Sequence, residues 1–91
     1  MGFYYVYILF SLKDGKLYIG YTTNLRKRVD YHNKGLNVST KNRRPLKLIY
    51  SEAYISKIDA RTREKFLKSG RGREVIKKQL KNTLDQTAGV V

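Results

Sequence analysis

The sequence predicts one α/β domain, a small three-stranded antiparallel sheet flanked by helices in the order ββαβαα. Three short segments rich in aromatic and β-branched residues are typical of strands. The segments after the second and third of them carry helix caps and helical spacing. With 91 residues, the chain suffices for one core and is too short for two. We assign residues 1–84 to this domain.

The first two strands are predicted to form a hairpin. Residues 3–10 are rich in aromatic and branched side chains, and residues 16–22 have a similar composition. The sequence KDG between them is typical of a turn. We therefore expect two antiparallel neighbours joined by a short connection.

The next segment carries the signals of a helix and then of a strand. Asn24 is a good N-cap, and Gly35 is suited to end a helix that runs to about Lys34. A polar, basic loop follows at residues 36–45. Residues 46–55 are predicted to form the third strand.

The rest of the chain is predicted to be helical. Ser56, with an aspartate three residues later, resembles a capping box and starts a helix through about Lys68. The sequence SGRG interrupts the pattern, and a last basic helix is expected from Arg73 to about Leu84. Residues 85–91 show no periodicity, so we expect a disordered tail there.

Charge is the strongest compositional signal. Twenty Lys and Arg face seven Asp and Glu, a formal net charge of +13. Such an imbalance costs self-repulsion in the folded state and indicates a polyanionic partner. The cations extend from Lys13 to Lys81 instead of forming one amphipathic helix, which favours a nucleic acid over a membrane surface. Charge alone does not separate an enzyme from a binding protein.

Residue content excludes several other classes. The chain has no cysteine, which rules out disulfide partners, thiolate catalysis and sulfur-ligated metals. No apolar run approaches the roughly 18 residues that span a bilayer, and the first residues lack a signal-peptide pattern. We therefore expect a cytoplasmic protein without a membrane partner.

Two polar residues fall on the inward face of the first predicted helix. At 100° per residue, Arg28 and His32 share one 100° arc with Leu25 and Val29. A buried arginine without a partner is costly, so it either reaches the rim or awaits an anion. Taken alone, a rim arginine and a satisfied core histidine is the simpler interpretation.

Two tyrosines are expected on the same face of the hairpin. Tyr7 and Tyr18 lie on strands that pair, and buried tyrosines need hydrogen-bond partners. Gly20 removes a side chain from that face and would let a ligand approach the backbone. Each tyrosine alone is more simply a core aromatic, but together with Arg28 and His32 they form a less ordinary set.

Glu64 is the candidate ligand for a divalent cation. It shares a face of the second predicted helix with Ala60 and Leu67, between cationic neighbours. A surface salt bridge worth under roughly 1 kcal/mol is the simpler interpretation. The functional one is an oxygen ligand for a hard ion that assists phosphodiester hydrolysis. Glu52, near the end of the third strand, is the rival carboxylate.

The ordered set of motifs resembles the GIY-YIG endonuclease family, and most of all its short single-domain bacterial members. The resemblance covers residues 3 to about 80, and no single element of it is specific alone. Its elements are VYI at residues 6–8, YIG at residues 18–20, Arg28, His32 and Glu64.

The resemblance implies a metal-dependent endonuclease that hydrolyses DNA one strand at a time, in DNA repair or recombination. Tyr7 and Tyr18 would position or deprotonate the attacking water. Arg28 would stabilise charge on the phosphate, and His32 would assist as a proton-transfer or hydrogen-bonding group. Glu64 would hold a single divalent ion, Mg²⁺ or, in its place, Mn²⁺.

The remaining expectations concern the backbone beside the site and the binding surface. Gly20 would keep the backbone open there. Cations in the loop and in the second half of the chain would bind nucleic-acid phosphates. This set comprises Lys41, Arg43, Arg44, Lys68, Arg71 and Arg73.

Two other functions stay open. One is a non-catalytic nucleic-acid-binding module on the same fold. The other is a nuclease that acts on RNA. Phosphate contacts fit either backbone, and the sequence carries no known RNA-binding signature that would separate the two.

Overall fold

The computed structural model describes residues 2–88. Within that range it contains three strands and four α-helices, together with a short 3-10 helix (Lys41–Arg43) that precedes the last strand. In chain order these are β1 (Tyr4–Ser11), β2 (Leu17–Thr22), α1 (Leu25–Asn33), β3 (Leu46–Tyr54), α2 (Lys57–Lys68), α3 (Gly70–Gln79) and α4 (Lys81–Ala88).

The three strands form one antiparallel sheet in the order β2-β1-β3, as the sequence predicts. In the hairpin, Tyr7 lies opposite Gly20, and Leu9 lies opposite Tyr18. β1 is the central strand, and helices cover both of its faces. Its residues from Val6 onward are therefore buried. β2 is an edge strand.

Alternation along β1 divides the core into two layers. Val6 and Ile8 point to the face covered by α2 and α3, where Ile76 is among their buried neighbours. Tyr7 and Leu9 point to the opposite face, which α1 covers. Burying one large apolar side chain contributes roughly 1.5–3 kcal/mol, so the fully buried residues of β1 hold both layers together.

The first two helix starts predicted from the sequence are confirmed. The side chain of Asn24 accepts a hydrogen bond from the backbone of Lys27 at 3.1 Å and caps α1. Gly35 follows that helix with a φ of 77°, a conformation that glycine adopts at little cost. The Ser56 hydroxyl accepts a hydrogen bond from the backbone of Asp59 at 3.2 Å and caps α2.

The C-terminal helices differ from the prediction. A single helix from Arg73 was expected, but α3 begins at Gly70 because the Ser69 hydroxyl caps the backbone of Gly72 at 3.1 Å. The helix then breaks at Leu80, which is buried against the core. The composition around Leu80 gives no signal for this break.

The tail is also more ordered than expected. Residues 85–88 belong to α4, where Lys81 and Asp85 form an ion pair of 3.0 Å one turn apart. Such pairs support exposed helices. The expectation of disorder was therefore wrong for residues 85–88, and residues 89–91 lie outside the described range. No helix within residues 2–88 is long and apolar enough to cross a bilayer.

Candidate active site

A chain of three buried polar side chains crosses the face of the sheet that α1 covers. The Tyr7 hydroxyl of β1 lies 2.8 Å from Nε2 of His32, which α1 contributes. The other ring nitrogen of His32, Nδ1, lies 2.7 Å from the hydroxyl of Thr40. All three residues are fully buried. The periodicity that placed His32 on the inward face of α1 therefore predicted its position correctly.

Arg28 joins this chain from the same helix face. Its Nε donates to the Tyr7 oxygen at 3.3 Å, and its guanidinium lies 4.7 Å from the centre of the Tyr31 ring. Since the Tyr7 oxygen accepts from Arg28, its own proton is directed to Nε2 of His32. His32 then carries its proton on Nδ1 and donates it to Thr40, an assignment that follows from the hydrogen-bond network.

Burial fixes the protonation states of this cluster. It raises the pKa of Tyr7 to about 12, and the opposing hydrogen bond from Arg28 is not enough to offset it. Burial also lowers the pKa of His32 to about 4, and the charge of Arg28 adds to that effect. At neutral pH Tyr7 is therefore a phenol and His32 a neutral imidazole.

Tyr18 and Arg28 are the members of this cluster that solvent reaches. Both are half-buried, whereas Tyr7 and His32 have no exposed surface. The Tyr18 ring packs edge-on against His32, with 4.9 Å between ring centres. A shallow cleft of about 190 Å³ opens beside Arg28 and Tyr31. A ligand approaching this face would therefore meet the Tyr18 hydroxyl and the Arg28 guanidinium first.

Gly20 has a different role from the one expected. A Cβ on this residue would overlap the phenol of Tyr7, which lies directly over it from the neighbouring strand. The space left by the missing side chain is thus filled by Tyr7 and is not open to a ligand. Gly20 lets the Tyr7 ring lie flat against β2, and this positions its hydroxyl.

Glu64 lies on α2, beside a cleft of about 400 Å³ that it shares with Arg61, Lys65 and Lys68. Its side chain is only 13% exposed. Lys68 Nζ lies 2.7 Å from one carboxylate oxygen, and Arg61 Nε lies 3.6 Å from the other. The charge of Glu64 adds in a minor way to the raised pKa of Tyr7, of which burial is the main cause.

The rival carboxylate, Glu52, is already fully engaged. It accepts hydrogen bonds from the hydroxyls of Tyr50 at 2.7 Å and Tyr54 at 2.6 Å, and from Arg63 at 3.0 Å. Although burial opposes it, the hydrogen bond from Arg63 holds the pKa of Glu52 below its usual value. Glu52 therefore ties β3 to α2 and has no spare oxygen for a metal.

The residues present fit a weakly held, hydrated divalent ion. Within residues 2–88, no three His, Asp or Glu side chains converge on one point. Mg²⁺, however, commonly binds through one or two carboxylates and completes its shell with water and substrate phosphate. Glu64 beside an open cleft meets that requirement, provided that Lys68 moves away from the carboxylate.

The cations predicted to bind phosphates differ in whether the fold already engages them. Lys41 and Arg71 are exposed and form no ion pair within residues 2–88. Lys68 is also exposed but pairs with Glu64 at 2.7 Å. Arg43 and Arg44 make contacts within the fold as well: Arg43 pairs with Asp14 at 2.8 Å, and Arg44 donates to a backbone carbonyl at 2.7 Å. Replacing this pair would disturb the loop as well as remove charge. Arg73 is half-buried beside a separate cleft.

Thr40 is the site residue that the sequence did not reveal. It lies in the loop between α1 and β3, immediately before the 3-10 helix. Neither helical nor strand periodicity operates there, so nothing in the spacing indicates that its hydroxyl is buried against His32. Its sequence neighbourhood, STKN, is ordinary polar loop composition.

Comparison with known families agrees with this geometry. The family model for the GIY-YIG catalytic domain matches residues 3–80. The chain belongs to the GIY-YIG family. Membership places it among nucleases and makes nucleic acid its substrate class. The GIY-YIG positions expected on the hairpin and α1, namely Tyr7, Tyr18, Arg28 and His32, meet on one face of the sheet.

Several GIY-YIG relatives are similar over most of the chain. UPF0213 protein SH2523 of Staphylococcus haemolyticus is 46% identical over 70 residues, which are 76% of this chain and 84% of that protein. A UPF0213 protein of Streptococcus pneumoniae serotype 4 is 45% identical over 65 residues, 70% of this chain and 65% of that protein. The solution NMR structure of UPF0213 protein BH0048 from Bacillus halodurans is 38% identical, with a TM-score of 0.51 and 81% coverage of each chain. The predicted fold class is thereby confirmed.

Proposed function

We propose that this chain is a divalent-metal-dependent endonuclease that hydrolyses phosphodiester bonds in DNA, one strand at a time. The Tyr7 hydroxyl carries the proposal, because it holds both Nε2 of His32 and Nε of Arg28. This shared contact ties Arg28, a half-buried cation, to His32, whose ring packs against that of a second tyrosine, Tyr18. A module that only binds nucleic acid gains nothing from burying such a network behind its surface.

The two accessible side chains act on the substrate. Arg28 binds the scissile phosphate and stabilises the charge that develops on its oxygens, an effect worth several kcal/mol when the donor is preorganised. The Tyr18 hydroxyl orients the attacking water. Tyr7 and His32 are buried, so they act as positioning residues: they hold Arg28 and the Tyr18 ring in place.

Glu64 is the residue that would hold the ion, Mg²⁺ or, in its place, Mn²⁺. When bound, such an ion stabilises the leaving group and lowers the pKa of water. Arg61, Lys65 and Lys68 line the same cleft and bind the phosphates that flank the cleaved bond. Lys68 releases Glu64 as it turns to the incoming backbone.

A single carboxylate and one tyrosine cluster make one active site per chain, which cuts one strand in one encounter. A double-strand break would need two sites or two encounters. An activity of this kind suits DNA repair or recombination, and we place it in the cytoplasm.

The deciding experiment uses the purified full chain with supercoiled plasmid, branched DNA and single strands, with Mg²⁺, with Mn²⁺ and with chelator. We expect metal-dependent conversion of supercoiled plasmid to open circles before any linear product appears. Absence of metal-dependent cleavage on all three substrates would refute the proposal. Matched DNA and RNA hairpins, run in parallel, decide between the two nucleic acids.

A pair of variants separates the nuclease from a binding module. Glu64→Gln keeps the shape of the side chain but removes its charge, so cleavage should be lost while DNA binding is retained. Glu74→Gln, an exposed position on α3, is the matched control and should cleave normally. Equal cleavage by the two variants would remove Glu64 from the site.

A further inference from the structure

A second cationic cleft lies away from the site built on Tyr7 and Glu64. It has a volume of about 390 Å³ and is formed where the turn between β1 and β2 meets the 3-10 helix and α3. Four of its six lining residues are cations, and none is a carboxylate. The lining consists of Gly15, Lys16, Leu17, Arg43, Arg73 and Lys77.

Three of the four cations of this cleft have no acidic partner. Within residues 2–88, Lys16, Arg73 and Lys77 form no ion pair with a carboxylate, whereas Arg43 pairs with Asp14. Like charges that converge on one cleft repel one another and weaken the fold, a cost that an anion in the cleft would remove.

The Arg43 side chain lines the cleft and is held in place by contacts within the fold. Its Nε lies 2.8 Å from Asp14, and its Nη2 donates to the backbone carbonyl of Leu17 at 3.4 Å. The hydrogen bond from Arg43 also lowers the pKa of Asp14 to about 2, so the pair persists at ordinary pH. A guanidinium already held in place loses little further freedom when an anion binds.

We propose that this cleft binds a phosphate group of the nucleic-acid substrate, separate from the phosphate that is cleaved. The inference rests on the proposed function for its choice of nucleic acid, and it does not require cleavage. Planar, forked guanidiniums and flexible lysines together are the side chains that grip phosphate oxygens.

The cleft is separate from the site, because its lining includes none of Tyr18, Arg28 and Glu64. A phosphate bound in the cleft is therefore not the phosphate that is cleaved.

Binding is tested first without cleavage. Amide resonances of the full-length protein are followed while inorganic phosphate, or a tetranucleotide without terminal phosphates, is added in the absence of divalent metal. We expect saturable shifts at Gly15, Lys16 and Leu17 with both probes. Shifts with the tetranucleotide indicate that the cleft binds an internal phosphodiester. Shifts with inorganic phosphate alone assign the cleft to a terminal phosphate. No saturable shift with either probe overturns the proposal.

The second test compares two variants that lose the same charge. Arg73→Ala with Lys77→Ala removes two cations of the cleft, whereas Lys57→Ala with Lys78→Ala removes two exposed cations outside it. We expect the cleft variant to bind duplex DNA about tenfold more weakly than the control. Its slope of log K against log salt should also fall by about 0.9, the loss of one phosphate contact. Equal affinity and slope in the two variants overturn the proposal.

Lys16→Gln guards against misfolding, because Lys16 is an exposed residue in the connection before β2. It should show the same loss of affinity in smaller measure. If no substrate is cleaved but the cleft variants lose binding, the nuclease proposal fails and the phosphate cleft stands. If the wild type cleaves and the cleft variants match their control, the cleft fails and the nuclease stands.

Discussion

The hydroxyl of Tyr7 lies 2.8 Å from Nε2 of His32, and neither residue has any surface exposed to solvent. Two residues expected to touch the substrate therefore form the layer beneath it. The groups that can meet a phosphate are those that this buried pair supports, Arg28 by a hydrogen bond and Tyr18 by ring contact. Supporting and exposed side chains should therefore respond differently to substitution.

The two tyrosines should respond differently to loss of the hydroxyl. Tyr7→Phe leaves the buried Nε2 of His32 without a partner, which costs about 1–3 kcal/mol of the free energy of unfolding, and removes the acceptor of the half-buried Arg28. We expect cleavage to fall at least about 100-fold as Arg28 loses its anchor. Tyr18→Phe should lose cleavage to a similar degree but change the free energy of unfolding by under about 0.5 kcal/mol.

Urea unfolding and single-turnover cleavage measure both variants. A Tyr18→Phe protein that cleaves at the wild-type rate would exclude Tyr18 from orienting the attacking water. A Tyr7→Phe protein as stable as the wild type would show that its hydroxyl is dispensable to the network.

Thr40 should set the tautomer of His32. Thr40→Val keeps the shape of the side chain but leaves Nδ1–H of His32 without an acceptor, so the ring proton redistributes between the two nitrogens. We expect cleavage to fall about tenfold, with Thr40→Ser restoring it. Ring ¹⁵N shifts of His32 report the tautomer directly, and an unchanged tautomer in Thr40→Val would contradict the assignment.

Stability should fall in mildly acidic solution because His32 is buried as the neutral form. Its pKa is about 4 in the folded state, against about 6.5 in an unfolded chain. Between these two pH values the unfolded state binds more protons than the folded state. The contribution of His32 to the free energy of unfolding is therefore complete above about pH 6.5 and is lost as pH falls toward 4. We expect a loss of roughly 1–2 kcal/mol after allowance for solvent screening.

Urea unfolding between pH 4 and 7 tests this window. His32→Gln should flatten the pH dependence of the free energy of unfolding above pH 4. The ion pair between Asp14 and Arg43 stays intact in that range, because Arg43 lowers the pKa of Asp14 to about 2. Parallel curves for wild type and His32→Gln would show that His32 does not titrate in this range.

Lys68 should compete with the metal for Glu64. Lys68→Met removes the ammonium that lies 2.7 Å from the carboxylate. A partly exposed ion pair is worth up to about 1 kcal/mol, so Mn²⁺ should bind roughly fivefold more tightly without it. Water-proton relaxation by Mn²⁺ measures this binding in the absence of DNA.

Lys65→Met is the matched control for this experiment, since Lys65 lines the same cleft but forms no ion pair with Glu64. Its Mn²⁺ affinity should rise less, through long-range charge alone. Equal gains in the two variants would mean that Lys68 does not compete for the carboxylate.

A methyl group at Gly20 should disturb both the fold and the site. In Gly20→Ala the new Cβ overlaps the Tyr7 phenol, and such overpacking typically costs about 1–3 kcal/mol. Gly70→Ala is the control, because a Cβ there meets no atom and alanine favours helix. Thermal unfolding and cleavage should both decline in the first variant only; a fully active Gly20→Ala protein would contradict the contact.

Periodicity predicted much of this site but only where it operates. Arg28 and His32 were placed inward because helical geometry relates residues four apart, and Tyr7 and Tyr18 were placed on one face by strand alternation. Thr40 lies in a loop, where no repeat connects sequence to orientation. The engagement of Glu52 by Tyr50 and Tyr54 depends on where hydroxyls point, and composition alone does not give that.

Side-chain roles were harder to predict than side-chain positions. The resemblance to the GIY-YIG family gave Gly20 an open backbone, but the structure fills that space with a ring from the next strand. Burial likewise makes Tyr7, which was expected to position or deprotonate the attacking water, a covered phenol at neutral pH, since desolvation outweighs the neighbouring Arg28. Both differences arise from packing density around β1, which a single sequence does not report.

The contact between Tyr7 and Gly20 also protects the hairpin from slippage. If β1 moved two residues along β2 in either direction, the ring of Tyr7 would meet the side chain of Tyr18 or Thr22 in place of bare backbone. A shift of one residue would turn it to the opposite face of the sheet. The contact between Gly20 and the Tyr7 ring therefore fits only one alignment of the two strands. A misaligned hairpin would lose the contact that positions the Tyr7 hydroxyl.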